Sequence, residues 1–166
     1  MNSADSAARL ESWIAEYGDA VLRMCFLYLA DRALAEDAMQ DTFIKAWRRM
    51  GQFEGRNDST VKTWLVRIAI NTCKDYRRSA WFRHVDRAAA LEELPAQPVS
   101  AEAHAATLAV MRLPERLQRV VLLYHYQNLT MAEVAQTLRV SRVTVQKRLQ
   151  RAYGLLRLGG RDLDGE

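Results

Sequence analysis

The sequence predicts an all-α fold of two small helical domains joined by a flexible linker, and three observations carry that prediction. Helix breakers are few: seven Gly and three Pro in 166 residues, with no Gly between Gly55 and Gly154. Ala, Leu, Arg and Glu, which fit a helix at little cost, are plentiful. Apolar residues recur at three- and four-residue steps on either side of a stretch, 84–104, that breaks the period and holds Pro95 and Pro98. At 49% hydrophobic residues the chain can bury one ordinary core or two small ones, and the pattern divides it into 1–80, a linker at 81–104 and 105–166.

In the first domain, Trp13, Ile14, Tyr17, Val21, Leu22, Cys25 and Tyr28 mark a helix from about Ala8 to Leu29. Asp31 is placed to cap a second helix, about Arg32 to Met50, whose apolar face holds Leu34, Ala38, Phe43 and Trp47. Residues 51–59 (GQFEGRNDS) read as a loop. Ser59 then caps a third helix with Val61, Trp64, Leu65, Ile68, Ala69, Thr72, Cys73 and Tyr76 on its buried stripe. In the second domain, Leu113-Pro114 opens a helix with Pro at its first position, and Leu117, Val120, Val121 and Tyr124 form its apolar side. Thr130 and Glu133 have capping-box spacing at the head of a short helix. Ser141 caps a final helix with Val145, Leu149, Ala152 and Leu156 facing inward.

Composition narrows the function. Cys25 and Cys73 lie among apolar residues and predict buried reduced thiols, not a disulfide framework. His84, His104 and His125 stand far apart, which predicts no metal site. Nothing has the pattern of a nucleophile triad, a phosphate loop or a metal cluster, so neither enzymatic chemistry nor a cofactor is expected. The N-terminus lacks a basic-then-apolar signal. The longest apolar run, Met24 to Ala30, is far short of the about 20 residues a membrane span needs. A soluble cytoplasmic protein with no membrane insertion is therefore expected. The net charge of +4 is unevenly spread: residues 55–84 carry seven basic and two acidic groups, and residues 134–161 carry seven basic groups and no acid. Two separated cationic blocks fit two contacts with a polyanion; the plain alternative is two solvated helix faces.

Residues 130–149, TMAEVAQTLRVSRVTVQKRL, have the spacing of a helix-turn-helix. Val134 and Leu138 face Val145 and Leu149, Ala135 is small where the helices cross, and Val140 fills the turn. Arg139 stands where the tight turn needs a left-handed backbone, at a cost of about 1 kcal/mol relative to Gly. The second helix can then enter a major groove N-terminus first. Ser141, Arg142, Val143, Thr144, Gln146, Lys147, Arg148 and Arg151 are its candidate DNA contacts. Arg and Lys suit guanine, Gln suits adenine, and Val or Thr can touch a thymine methyl. Arg151, with Arg157, is better placed for phosphates.

On the third helix, Arg67, Asn71, Lys74 and Arg78 recur at helical spacing on a polar face, an amide among cations that suits a base held by phosphate contacts. The loop before it offers Phe53, Arg56, Asn57 and Asp58, a setting able to receive an unstacked base. Phe53 is equally well read as core, whereas Trp64 and Tyr76 belong to the buried stripe, and Trp81 and Phe82 either pack under the linker or touch DNA. The second helix differs. Asp37, Gln40 and Asp41 precede Phe43 and Trp47, a mixed acidic and aromatic surface that suits a protein partner. Alternatively, the acids only favour the helix N-terminus.

The segments ALAEDAMQDTFIKAWRRM and FEGRNDSTVKTWLVRIAINTCKDYRRS resemble region two of extracytoplasmic-function sigma factors, and LPERLQRVVLLYHYQNLTMAEVAQTLRVSRVTVQKRLQRAYGLLR resembles their region four. The resemblance implies a promoter-specificity subunit of bacterial RNA polymerase. It implies that Asp37, Gln40, Asp41, Phe43 and Trp47 dock on the β′ clamp helices. It assigns the loop at Phe53 to Ser59, and the helix bearing Asn71 and its basic neighbours, to the −10 element and its opening. By the same resemblance, the last helix is expected to read the −35 element while region four docks on the β flap. The linker is expected to thread toward the RNA exit channel, and an anti-sigma factor to hold the protein inactive. The chain departs from the family where Gln146-Lys147 replaces the more usual Lys-Ser and Val143 replaces a common Gly, so its −35 preference follows from its own residues. Two other readings compete: an autonomous helix-turn-helix regulator with an N-terminal dimerisation or ligand domain, and a helical adaptor that binds proteins only.

Overall fold

A computed structural model describes residues 2–53, 60–78 and 101–158. Most of the helices in them start or stop where local capping chemistry places them, and there is no strand among the described residues. Helix α1 spans Ser3–Leu29 and starts ahead of the predicted Ala8. Asn2 caps it, its Oδ1 accepting from the Asp5 N–H at 2.9 Å, and Asp5 adds negative charge to the first turn. Ala30 ends the helix in a left-handed conformation (φ 54°), its N–H returning to the Phe26 carbonyl at 2.7 Å. Asp31 caps α2, Arg32–Arg48, as expected, through the Leu34 N–H. The α-helix stops short of Met50, and a 3₁₀ turn at Met50–Gln52 follows. Helix α3 spans Val61–Arg77, and its cap is Thr60 instead of the predicted Ser59, which lies outside the described residues. The Thr63 N–H donates to Thr60 Oγ1 at 3.1 Å.

Helix α4, Ala101–Met111, takes up the last part of the predicted linker; the rest of that linker lies outside the described residues. Pro114 (φ −52°, ψ 142°) is the cap of α5, Glu115–Val121, one position before the helical place predicted for it. The helix widens into a π turn at Leu122–Tyr126 capped by Gln127; the left-handed Asn128 (φ 56°) follows, and the Leu129 N–H reaches the Leu123 carbonyl at 3.1 Å. Helix α6, Met131–Leu138, carries the predicted capping box in full. Thr130 Oγ1 accepts from the Glu133 N–H at 3.1 Å, and Glu133 Oε1 accepts from the Thr130 N–H at 3.0 Å. Arg139 takes the predicted left-handed turn (φ 57°, ψ 45°). Ser141 heads α7, Arg142–Leu158, accepting from the Thr144 N–H at 3.1 Å.

Helices α1 to α3 pack as one layer, α5 to α7 as a second, and the two share one apolar core. Val145, Leu149, Ala152 and Leu156 face it, as predicted. The stripe on α3 is broader than predicted. Leu65, Ile68, Ala69, Thr72 and Cys73 are buried, and Thr63, Val66 and Ile70 are buried too. These last three lie on the helical row that ends at Arg77, and both ends of that row bond the C-terminal half. Trp13, Phe53 and Trp64 form an aromatic cluster with centroids 5.0–6.2 Å apart, each pair adding about 0.5–1.5 kcal/mol beyond its burial.

Arg139 is exposed and pays the left-handed penalty with little packing to lose. Arg139→Gly is expected to raise stability by about 1 kcal/mol in urea unfolding; an unchanged or lower midpoint would contradict the assigned strain.

Candidate nucleic-acid interface

The capping box fixes where α6 begins, the left-handed Arg139 fixes where it ends, and the Val140 N–H closes the turn on the Ala135 carbonyl at 3.0 Å. These three constraints set the angle at which α7 leaves. Val134 is fully buried and Ala135 nearly so, which lets the two helices approach closely. Of the predicted contacts on α7, Ser141, Arg142, Val143, Gln146, Lys147 and Arg151 are exposed along one surface. Val143 is 57% exposed, high for an apolar side chain with no partner layer over it. Thr144 and Arg148 are half-buried, and Thr144 Oγ1 lies 2.9 Å from Ser141 Oγ.

A cleft of about 370 Å³ separates α5 from α7, lined by Pro114, Arg116, Leu117, Lys147, Arg148 and Arg151. Its charged lining residues are all cations. Burial, and then Arg116 and Arg119, push the Arg148 guanidinium below its ordinary value. Uncompensated positive charge of this kind favours a bound anion. Arg116 and Arg119 were missed in the sequence, where they read as ordinary polar positions of α5. Their only signal was helical spacing that brings them under the cationic end of α7.

On α3, Asn71 and Arg78 are exposed, while Arg67 and Lys74 are half-covered. Arg67 Nε is buried with no hydrogen-bond partner among the described residues. Lys74 is pushed below its ordinary value by burial and by Arg119 and Arg78 nearby. The polar face predicted from the sequence is therefore open at one edge and covered at the other. Arg56, Asn57 and Asp58 lie outside the described residues. Phe53 is half-buried and its ring packs on Trp13 and Trp64, which favours the core reading of the two that the sequence left open.

On α2, Asp37 and Gln40 are exposed, and Trp47 is 49% exposed. Trp47 leaves the apolar core face on which the sequence placed it. Phe43 is corrected in the opposite sense: at 4% exposure it belongs to the core and has no surface to offer a partner. Ile44, 43% exposed and unremarked in the sequence, takes its place beside Trp47. Asp41 accepts the Tyr76 hydroxyl, which ties α2 to α3, and burial with that carboxylate raises the Tyr76 phenol. The exposed face of α2 is thus Asp37, Gln40, Ile44 and Trp47, an apolar centre with polar neighbours.

Cys25 and Cys73 are free and fully buried, and His125 Nε2 lies 2.6 Å from Tyr153 Oη. No group of three or more metal-ligating side chains occurs among the described residues, and none of their helices is long and apolar enough to cross a membrane.

Two family models match the chain in order: Sigma-70 region 2 at residues 13–83 and Sigma-70, region 4, at residues 104–156. The chain belongs to the sigma-70 family. The RNA polymerase sigma-H factor of Pseudomonas aeruginosa is 31% identical over 155 residues, covering 84% of this chain and 79% of that protein. The ECF RNA polymerase sigma factor SigL of Mycobacterium tuberculosis is 29% identical, covering 94% and 91%. This sigma factor falls in the extracytoplasmic-function group, as the sequence resemblance implied. The sigma factor RpoE of Bartonella quintana, solved with the anti-sigma factor NepR, shares its fold at a TM-score of 0.73 and 21% identity, covering 93% of this chain and 97% of that one. In family terms, α1 to α3 fall in region two and α4 to α7 in region four.

Glu133 gives region four a pH dependence. The Thr130 N–H holds its carboxyl below the ordinary value of 4.5, with the Thr63 hydroxyl assisting and burial opposing. A carboxylate depressed by folding contributes stability above its unfolded value and loses it as pH falls through the folded value. Glu133→Gln is expected to be less stable than the parent at pH 7, and that gap is expected to close below pH 4.5. Thermal unfolding of both chains across this range checks it; a gap independent of pH would contradict it.

Proposed function

We propose that this sigma factor directs core RNA polymerase to specific promoters and takes part in opening them, with no catalytic chemistry of its own. The observation that carries the reading is the exposed, acid-free face of α7, set by a helix-turn-helix on the same chain as region two. In this reading Arg142, Val143, Gln146 and Lys147, flanked by Ser141 and Thr144, contact −35 base edges. Arg148 and Arg151, joined by Arg116, hold the adjoining phosphates. Arg67, Asn71, Lys74 and Arg78 on α3 serve the −10 element, together with Arg56, Asn57 and Asp58 of the preceding loop.

The α2 face is assigned to the polymerase. Trp47 and Ile44 form an apolar anchor, with Asp37 and Gln40 at its rim and Asp41 holding the helix in place. Such a face repels DNA and suits the β′ clamp helices, while region four meets the β flap. The work is done in the cytoplasm, where polymerase acts. The solved relative RpoE is paired with an anti-sigma factor, which supports an anti-sigma partner for this chain as well.

Two substitutions separate the assigned roles. Trp47→Ala is expected to weaken binding to purified core polymerase about tenfold or more. Asn71→Ala is expected to leave that binding unchanged while strand opening, read by permanganate footprinting, falls severalfold. Equal effects of either variant on both readouts would contradict the division between α2 and α3. Arg142→Ala is expected to reduce transcription from some −35 sequences more than from others; a uniform loss would make Arg142 a phosphate contact.

A further inference from the structure

The chain has four lysines, and Lys74 of α3 is set apart from the other three by its surroundings. Lys45 Nζ donates to Thr72 Oγ1 at 3.0 Å. Lys62 lies close enough to Glu133 to act on its carboxyl, and Lys147 is exposed and lines the cationic cleft. Lys74 is half-buried and makes no hydrogen bond or ion pair among the described residues.

Cations crowd it. Arg78 follows one turn later on α3, and Arg119 approaches from α5. After burial itself, Arg119 and then Arg78 push the Lys74 amine below its ordinary value. Two carboxylates, Glu115 and Asp75, act against them. Both are engaged elsewhere. Glu115 accepts the Tyr28 hydroxyl, pairs with Arg119 at 3.2 Å and lies in the field of Arg77 as well. Asp75 lies 3.6 Å from Arg78, a pair that is largely in solvent and worth little. Arg119 Nε is buried with no hydrogen-bond partner among the described residues.

An amine so placed has two chemical properties. Burial and neighbouring cations disfavour its ammonium form, so more of it is the neutral nucleophile at neutral pH than in an exposed lysine. The same cations attract a small anion. An acyl phosphate meets both properties. Its phosphate is anionic, and its acyl carbon is an electrophile with phosphate as the leaving group.

We propose that Lys74 is a site of acylation by acyl phosphates, which Arg119 and Arg78 hold for attack, and that acylation strips one positive charge from the DNA-facing side of α3. The lone pair of the neutral amine attacks the acyl carbon. The carbon–oxygen bond to phosphate breaks, and phosphate leaves with that electron pair. The amine then gives up a proton to it. The products are an uncharged amide at Lys74 and hydrogen phosphate, with nothing oxidised or reduced. Promoter opening falls as the acyl phosphate accumulates, because a strand held by α3 loses one cation. That consequence rests on the assignment of α3 to DNA; the reactivity of Lys74 does not.

The full chain is incubated with acetyl phosphate at neutral pH, and acetylation of each lysine is followed by peptide mass spectrometry. Lys74 is expected to react severalfold faster than Lys45, Lys62 or Lys147. Its lead is expected to shrink with the N-hydroxysuccinimide ester of acetic acid, which carries no phosphate, and to shrink with acetyl phosphate in Arg119→Gln. A Lys74 rate no greater than those of the other lysines overturns the site and leaves the proposed function standing. A lead as large with the ester as with acetyl phosphate overturns the holding role of Arg119 and Arg78. The consequence is read by permanganate footprinting on a chain in which Lys74 is replaced by acetyl-lysine during synthesis. Strand opening is expected to fall severalfold while binding to core polymerase holds. Unchanged opening, with Asn71→Ala still defective, overturns the consequence alone. Unchanged opening in both chains overturns the assignment of α3 to DNA, and the consequence with it.

Discussion

The arrangement of the molecule depends on the burial of one carboxamide. Gln118 sits at 0% exposure where α1, α3, α4 and α5 converge, and it bonds two carbonyls at the end of α4, one at the end of α1 and a guanidinium at the end of α3. A buried amide left without those partners would cost about 1–3 kcal/mol. Its satisfaction therefore selects one seating of region four against region two. Apolar burial holds each region together, but it does not by itself choose how they meet. The half-covered edge of α3 follows from that seating.

Charge then divides the surface. Region four gathers Arg116, Lys147, Arg148 and Arg151 around one cleft lined by no carboxylate. The α2 face carries Asp37 beside exposed Ile44 and Trp47. A duplex is drawn to the first surface and turned from the second, while an apolar protein groove fits the second. The sigma-70 family membership and this separation of charge point the same way, although they are independent observations.

Much of this was legible in the sequence where the controlling physics is local. The capping box at Thr130 and Glu133, the left-handed turn at Arg139 and the outward row of α7 follow from residues within a few positions of one another. Choices between neighbours were less legible. Ser59 and Thr60 are both able to cap a helix, and only the backbone decides in favour of Thr60. Phe43 and Trp47 lie one turn apart at the same edge of the buried face of α2, Phe43 just inside it and Trp47 just outside, so the period does not reveal which is covered. Gln118 and Gln127 were not legible at all. A glutamine in an amphipathic helix reads as surface, and its partners at Leu27, Arg77 and Ala20 are distant in sequence.

The central claim is that two helical regions on one chain serve a shared enzyme at two promoter elements. Transcription by purified core polymerase, free of any other sigma factor, on a library of randomised promoter templates tests it most directly. The account predicts transcripts from a subset of templates sharing a −35 and a −10 sequence at fixed spacing. No transcript from any template, together with tight binding of a palindromic site in the absence of polymerase, would contradict it.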